Sequence, residues 1–463
     1  MSIHERRLRG SHDALDALRK LRGDAPAVLL DAPAAADDPT GARRPVRVLF
    51  DPFAIVAVPA GSDRAPAALD PLARLFEEIA PYSGTTTCGV ERRGGAAGFL
   101  GYDLGRHFER LPATAALDTS MPDLWFAMFD RGLEIDPSSG AATLFVEELP
   151  GRALEASPGE ILDRAERALE RDLPPLRGFD AGALESNFTA DEYRAAVERV
   201  REYILDGDVY QVNLSQRFTA PFSGDAFAVA ARLRSISPAP HGAIVAAPEF
   251  TLLSASPESF LEKRGDVVVT RPIKGTRPRG ADAADDERLI ADLRGATKDG
   301  AELAMIVDLE RNDLGRVARF GSVEVVEAGR IERHPTVLHK VATVRARLAD
   351  GVGGEDLLRA TFPGGSITGC PKIRAMGVIE ELERVRRGVF TGAIGFLGFG
   401  GDLSLNIAIR TLVHEAGRIH FHVGGGIVLD SIPDAEYRET LVKGGALARA
   451  LGRDRLGPPD CDR

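Results

Sequence analysis

The chain has 463 residues, 44% hydrophobic and 27% charged, an ordinary globular composition with enough length for a large core. Its formal net charge of −11 argues against a general nucleic-acid binder, and no uncharged apolar run reaches the ~18 residues of a membrane span, so neither partner is expected. Cys88, Cys370 and Cys461 lie far apart with no C-x-x-C spacing and point to neither a disulfide framework nor a zinc site.

In chain order, Met1–Arg7 lacks the apolar stretch of a signal peptide, which places the protein in the cytoplasm, and residues 1 to about 25 are charged and helix-prone. Residues 26–31, 46–50, 54–58, 124–130 and 142–147 read as strands, and 32–44 as a loop. The glycine-dense stretch from Gly94 to Asp103 implies close backbone packing or a strand against another layer. Residues 1–150 therefore form a mostly β region. A Pro- and Gly-rich connection with a charged helical segment covers 151–186, and a catalytic region covers 187–452.

A T-x-x-E box at Thr189 and Glu192 starts a helix whose face carries Tyr193, Val197, Val200 and Ile204, and Gly207 ends it. Further helices are expected over 286–293, 302–314, 371–382 and 435–451, with strands over 323–326, 391–396, 403–409 and 418–423. The order is no regular βαβ alternation, so the expected class is α+β, with stacked sheets flanked by helices. The tail 453–463 reads as disordered.

The run Thr270-Arg271-Pro272-Ile273-Lys274-Gly275-Thr276-Arg277-Pro278-Arg279-Gly280 stands out. Pro272 and Gly275 break regular structure around Lys274, as a tight turn that aims the amine into a cavity would. Burial, or the arginines at 271, 277 and 279, would lower its pKa and free a nucleophile. A solvated basic turn explains the same residues.

Three carboxylates form the next group. Glu302 shares a helix face with Met305, Ile306 and Leu309. Glu436 and Glu439 share another, four residues ahead of Lys443 at its end. Together they can hold a hard cation, or Glu439–Lys443 is a surface pair. Gly424-Gly425-Gly426, read as a turn after the strand ending at Val423, offers bare N–H groups to an anion. Phe362 to Lys372 places Ser366 and Thr368 in a glycine-rich loop that leads into a helix. Glu258, beside Pro257, suits a general acid if buried. Arg410, at the end of the apolar strand 405–409, suits a carboxylate.

Several stretches in fixed order resemble the chorismate-utilising enzymes: Asp208 to Ser215, Ser256-Pro257-Glu258, Pro272 to Arg277, Ile306 to Asp313, Phe362 to Lys372 and Gly424 to Val428. The anthranilate-forming branch typically has alanine where this chain has Lys274, so the resemblance implies amination of chorismate at C4. Lys274 would attack C2 and form a covalent adduct, and Glu258 would protonate the departing hydroxyl. Glu302 and Glu439, with Glu436 nearby, would hold Mg2+. Arg410, Lys443 and Gly424 to Gly426 would bind substrate carboxylates, and Thr276, His339 and Ser366 would line the pocket. No glutaminase-type G-x-C-x-G segment is present, so ammonia would come from a separate glutamine amidotransferase subunit. Leu29 to Ala32 and Ser237 to Gly242 depart from the motifs with which some relatives hold tryptophan. The rival outcomes are ammonia entry at C2 with loss of pyruvate, and a non-catalytic anion-binding subunit.

Overall fold

The computed structural model describes residues 2–32, 44–62, 70–84 and 92–456, so Cys88, Cys461 and parts of the expected 32–44 loop and of the tail lie outside the described residues. Two large antiparallel sheets, one 13-stranded and one 10-stranded, dominate it. The central strands are apolar on both faces: every residue of Gly95–Leu100 and Leu124–Phe129 is buried. Successive side chains point to opposite faces. Phe99, Trp125 and Phe129 meet the other sheet, where Phe250 stands edge-on to Phe99 at 5.7 Å and to Trp125 at 5.5 Å. Leu100, Phe126 and Met128 face outward into a second core, which takes in residues of the helices Pro71–Ile79, Thr297–Gly315 and Gly354–Thr361. On the far side of the first sheet, Ala14–Leu21, Pro158–Glu170, Ala226–Ile236 and Pro433–Ala450 bury their apolar stripes in a third. The layers run helix, sheet, sheet, helix, the α+β stacking expected.

Strands from the first 150 residues extend both sheets. Ala27–Leu30 pairs with Ala243–Ala246, and Gly95–Leu100 pairs with Ala393–Gly398. The glycine density has a steric cause, because a Cβ on Gly98 would lie 2.0 Å from the Trp125 carbonyl oxygen. The helix Ala190–Leu205 carries the expected box in full: Glu192 N–H donates to Thr189 Oγ1 at 3.2 Å, and Thr189 N–H to Glu192 Oε2 at 2.8 Å.

Three expectations change. The N-terminus opens with a strand, Ile3–Arg7, before its helix; it pairs with Ala142–Glu147, and its charged residues suit a sheet edge. The connection carries two short strands, Phe179–Ala181 and Glu185–Ser186, that pair with Gln211–Gly224. Gly424 to Gly426 form no turn. They sit inside the strand Arg418–Ile427, opposite Ser215, Leu214 and Asn213. A Cβ on Gly424 would lie 2.4 Å from Leu214 O, so bare backbone is what lets these strands approach.

Candidate functional site

The site forms where the Gln211–Gly224 and Arg418–Ile427 strands, the Ile273–Pro278 strand, the Thr297–Gly315 helix and the Gly365–Ile367 turn come together. Lys274 lies on a strand and not in a turn. The register against Val337–Arg347 shifts between Ile273 and Thr276, with Gly275 at φ 90°, so the lysine sits at a bulge. A bulge re-aims a side chain. Lys274 Nζ donates to the Ser366 carbonyl at 3.2 Å. The same carbonyl accepts Asn213 Nδ2 at 3.0 Å, and Ser366 Oγ donates to Glu258 Oε1 at 2.8 Å. Ser366 therefore ties the amine to the acid.

Dehydration sets the proton affinities of both groups. The half-buried Lys274 amine is pushed below the ordinary lysine value, chiefly by loss of solvent and further by Lys443, against the pull of Glu258 and Glu302. None of the three arginines is among the main causes of that shift. Arg271 pairs with Glu332, Arg277 with Asp292 and Asp299, and Arg279 with Asp286, so the basic run is neutralised by its own neighbours. Glu258 is buried, and its carboxyl is raised by desolvation. The Ser366 hydroxyl, Lys274, the Ile273 N–H and Arg410 hold it back. Glu310, on the Thr297–Gly315 helix, is buried near Glu258 and raised well above the usual range; Thr270 Oγ1 donates to it at 3.2 Å.

Arg410 lies past the end of its strand, at φ 51°, and its cation acts on both Glu258 and His339. Burial lowers its pKa, as it does for any cation short of water. His339 Nδ1 meets Thr276 Oγ1 at 2.9 Å, and burial lowers its pKa to about 3, so it is neutral. A cleft of about 360 Å³ is lined by Ala32, Pro238, His241, Arg271 and His334, with Pro257, Ser259 and Ile273.

The three expected cation ligands converge incompletely. A Cβ on Gly425 would find Glu436 Oε2 at 3.4 Å, Lys443 Nζ at 3.6 Å and Glu439 Oε1 at 3.7 Å. Glu436 Oε1 accepts from Ser431 Oγ at 2.7 Å. Glu439 is exposed and pairs with Lys443 at 2.7 Å, and Lys443 also donates to Gly424 O at 3.0 Å. The surface-pair reading of Glu439 and Lys443 thus describes part of the geometry. Among the described residues no three His, Cys, Asp or Glu side chains are gathered for a metal. Still, desolvation raises Glu302 and Glu436, and Glu439 repels both. Dehydrated, mutually repelling carboxylates fit a hard cation that completes its shell with water and substrate oxygens.

Reasoning from the sequence alone gave no role to Asn213, Glu310 or Arg387. Asn213 lay in a matched stretch, Glu310 in another, and Arg387 in a charged run with no distinguishing signal.

The sequence profile described as chorismate binding enzyme matches residues 31–449. Aminodeoxychorismate synthase component 1 of Klebsiella aerogenes is 44% identical over 352 residues, covering 76% of this chain and 75% of that protein. An anthranilate synthase component 1 of Haloarcula marismortui is 44% identical over 377 residues, covering 79% of this chain and 77% of that one. The crystal structure of anthranilate synthase component I from Streptococcus pneumoniae matches with a TM-score of 0.77 at 31% identity, covering 86% of this chain and 90% of that one.

Proposed function

The chain belongs to the chorismate binding enzymes, and from that premise we propose that it aminates chorismate at C4, as component I of an aminodeoxychorismate synthase. The observation that carries this is the Lys274 amine, dehydrated and linked through Ser366 to the buried Glu258. A nucleophilic amine must be neutral, and a general acid must hold its proton; dehydration moves both groups the right way.

In the proposed reaction the neutral Lys274 nitrogen bonds to C2 of chorismate. The ring double bonds shift by one position each, and the C4–oxygen bond breaks. The Glu258 proton goes to that oxygen, which leaves as water. Ammonia then bonds to C4, the double bonds shift back, Lys274 is released as the neutral amine, and a proton from the new C4 ammonium returns to Glu258. The Arg410 guanidinium acts on Glu258 and His339, has no hydrogen-bond or ion-pair partner among the described residues, and would take a substrate carboxylate. Glu302, Glu436 and Glu439 would hold Mg2+, which when bound offsets negative charge on the substrate. Ammonia would come from a separate glutamine amidotransferase subunit. The product, 4-amino-4-deoxychorismate, would serve 4-aminobenzoate and folate synthesis.

The second reading is anthranilate synthase component I, favoured by the equal 44% identity to the Haloarcula protein. Incubation of the purified chain with chorismate, Mg2+ and an ammonium salt separates the two. Aminodeoxychorismate is the expected product. Fluorescent anthranilate with pyruvate would overturn the assignment. Binding of chorismate without turnover, even with a glutaminase subunit and glutamine, would leave only a binding role.

A further inference from the structure

Behind the site lies an arginine that touches none of the proposed reacting groups. Arg387 follows the helix Lys372–Leu382 and is 3% exposed. All five of its N–H donors are used. Nε donates to Glu383 Oε2 at 2.9 Å. One Nη donates to Ile367 O at 3.1 Å and Thr391 Oγ1 at 3.2 Å, the other to Asn213 O at 2.7 Å and Glu383 Oε1 at 2.6 Å. Glu383 Oε1 also accepts the N–H and hydroxyl of Ser215, each at 2.8 Å.

Two of those contacts bracket Ser366. Ile367 is the next residue in the same turn, and Asn213 is the residue whose side chain holds the Ser366 carbonyl. The guanidinium thus clamps the turn to the Gln211–Gly224 strand. The N-terminal glycine-rich segment completes the clamp. The Tyr102 ring covers the Arg387 guanidinium at 4.7 Å, and Asp103 Oδ2 accepts the Gly388 N–H at 2.8 Å. A buried arginine with a full set of partners is rigid, and its planar fork is what the five acceptors require; lysine has three donors and no fork.

We propose that Arg387, held by Glu383 and Tyr102, is a positioning residue that fixes the Ser366 turn and through it the spacing of Lys274 and Glu258. In this arrangement the first region of the chain, which supplies no reacting group, helps to set the geometry of the reaction. The inference rests on the acid role proposed for Glu258, which amination at either carbon requires, and not on the covalent role of Lys274.

The test uses the whole chain with chorismate, Mg2+ and ammonium, follows chorismate consumption against pH, and identifies the product by mass in the same samples. Arg387→Lys keeps the charge and loses the fork. It is expected to lower kcat by about 10²-fold, the cost of a misplaced reacting group, with KM within about twofold. One break in its kcat–pH profile is expected to move upward, as in Ser366→Ala, because both variants deprive the Glu258 carboxylate of its hydroxyl donor. The double variant should move that break no further than Ser366→Ala alone. Should Arg387→Lys not fold, Glu383→Gln, which keeps the shape of the partner and loosens its hold, carries the same expectation in weaker form. A folded Arg387→Lys or Glu383→Gln with an unmoved pH profile, or a double variant whose shifts add, overturns the proposal. Anthranilate from the wild type would overturn the proposed function and leave this comparison intact.

Discussion

Ser366→Ala tests the electrostatics of the site, because it removes one hydrogen bond to a buried carboxyl and little else. Ser366 Oγ donates to Glu258 Oε1 at 2.8 Å, while the lysine is held by the Ser366 carbonyl, which the variant keeps. A hydrogen bond to a charged group contributes about 1.5–3 kcal/mol. Its loss raises the folded-state pKa of Glu258 further, because the hydroxyl that favours the carboxylate is gone. That pKa is already above the ordinary glutamate value through desolvation. A carboxyl raised in the folded state costs nothing below its unfolded pKa, costs progressively more as pH climbs from there to its folded pKa, and costs the full amount above it, so a further rise in the folded pKa adds its loss only at the alkaline end. The variant therefore pays almost nothing for this bond in acid and loses about 1.5–3 kcal/mol at alkaline pH. Urea unfolding of both proteins near pH 5 and near pH 9 reads the difference. In parallel, one break of the kcat–pH profile moves up. A stability gap equal at the two pH values, or larger in acid, would refute the reasoning.

Other outcomes follow from single contacts. Gly424→Ala places a methyl 2.4 Å from Leu214 O and should cost about 1–3 kcal/mol in chemical denaturation. Gly425→Ala meets nothing closer than 3.4 Å, so it should keep its stability and weaken Mg2+ binding by calorimetry, since the methyl points among Glu436, Glu439 and Lys443. Thr189→Ala removes one half of a capping box and should lower stability by about 1 kcal/mol with unchanged kcat. Lys274→Ala should abolish C4 amination, with correct folding shown by circular dichroism; wild-type turnover by that variant would dismiss the covalent role.

Local signals were the most legible. The Thr189–Glu192 box and the Glu439–Lys443 spacing are set by helix geometry within one turn, and both stand as read. The glycine-dense segment near Gly98 also announced a close backbone approach. Where chain breakers met a sheet, local reasoning failed. Pro272 and Gly275 look like a turn, yet pairing with Val337–Arg347 turns the segment into a bulged strand, because ladder bonds to that neighbour outweigh weak β-propensity. Gly424 to Gly426 look like a loop for the same reason, although their missing side chains are what admit the neighbouring strand. Lys274, Glu258 and Ser366 come from separate stretches of the chain, and only the resemblance to a family brought them together on paper. Arg387 was invisible. Nothing in Glu383-Arg384-Val385-Arg386-Arg387 singles it out from other charged stretches, and only the fold shows that Arg387 and Glu383 are each 3% exposed and paired with one another.

The central claim is that the Lys274 nitrogen bonds to the substrate ring. Intact-protein and peptide mass spectrometry of the chain mixed with chorismate and Mg2+, with ammonia left out, tests it most directly. A mass increase equal to chorismate less one water is expected on Lys274, lost when ammonium is added and absent from Lys274→Ala. Turnover on adding ammonium, with no such adduct ever trapped on Lys274, would contradict it.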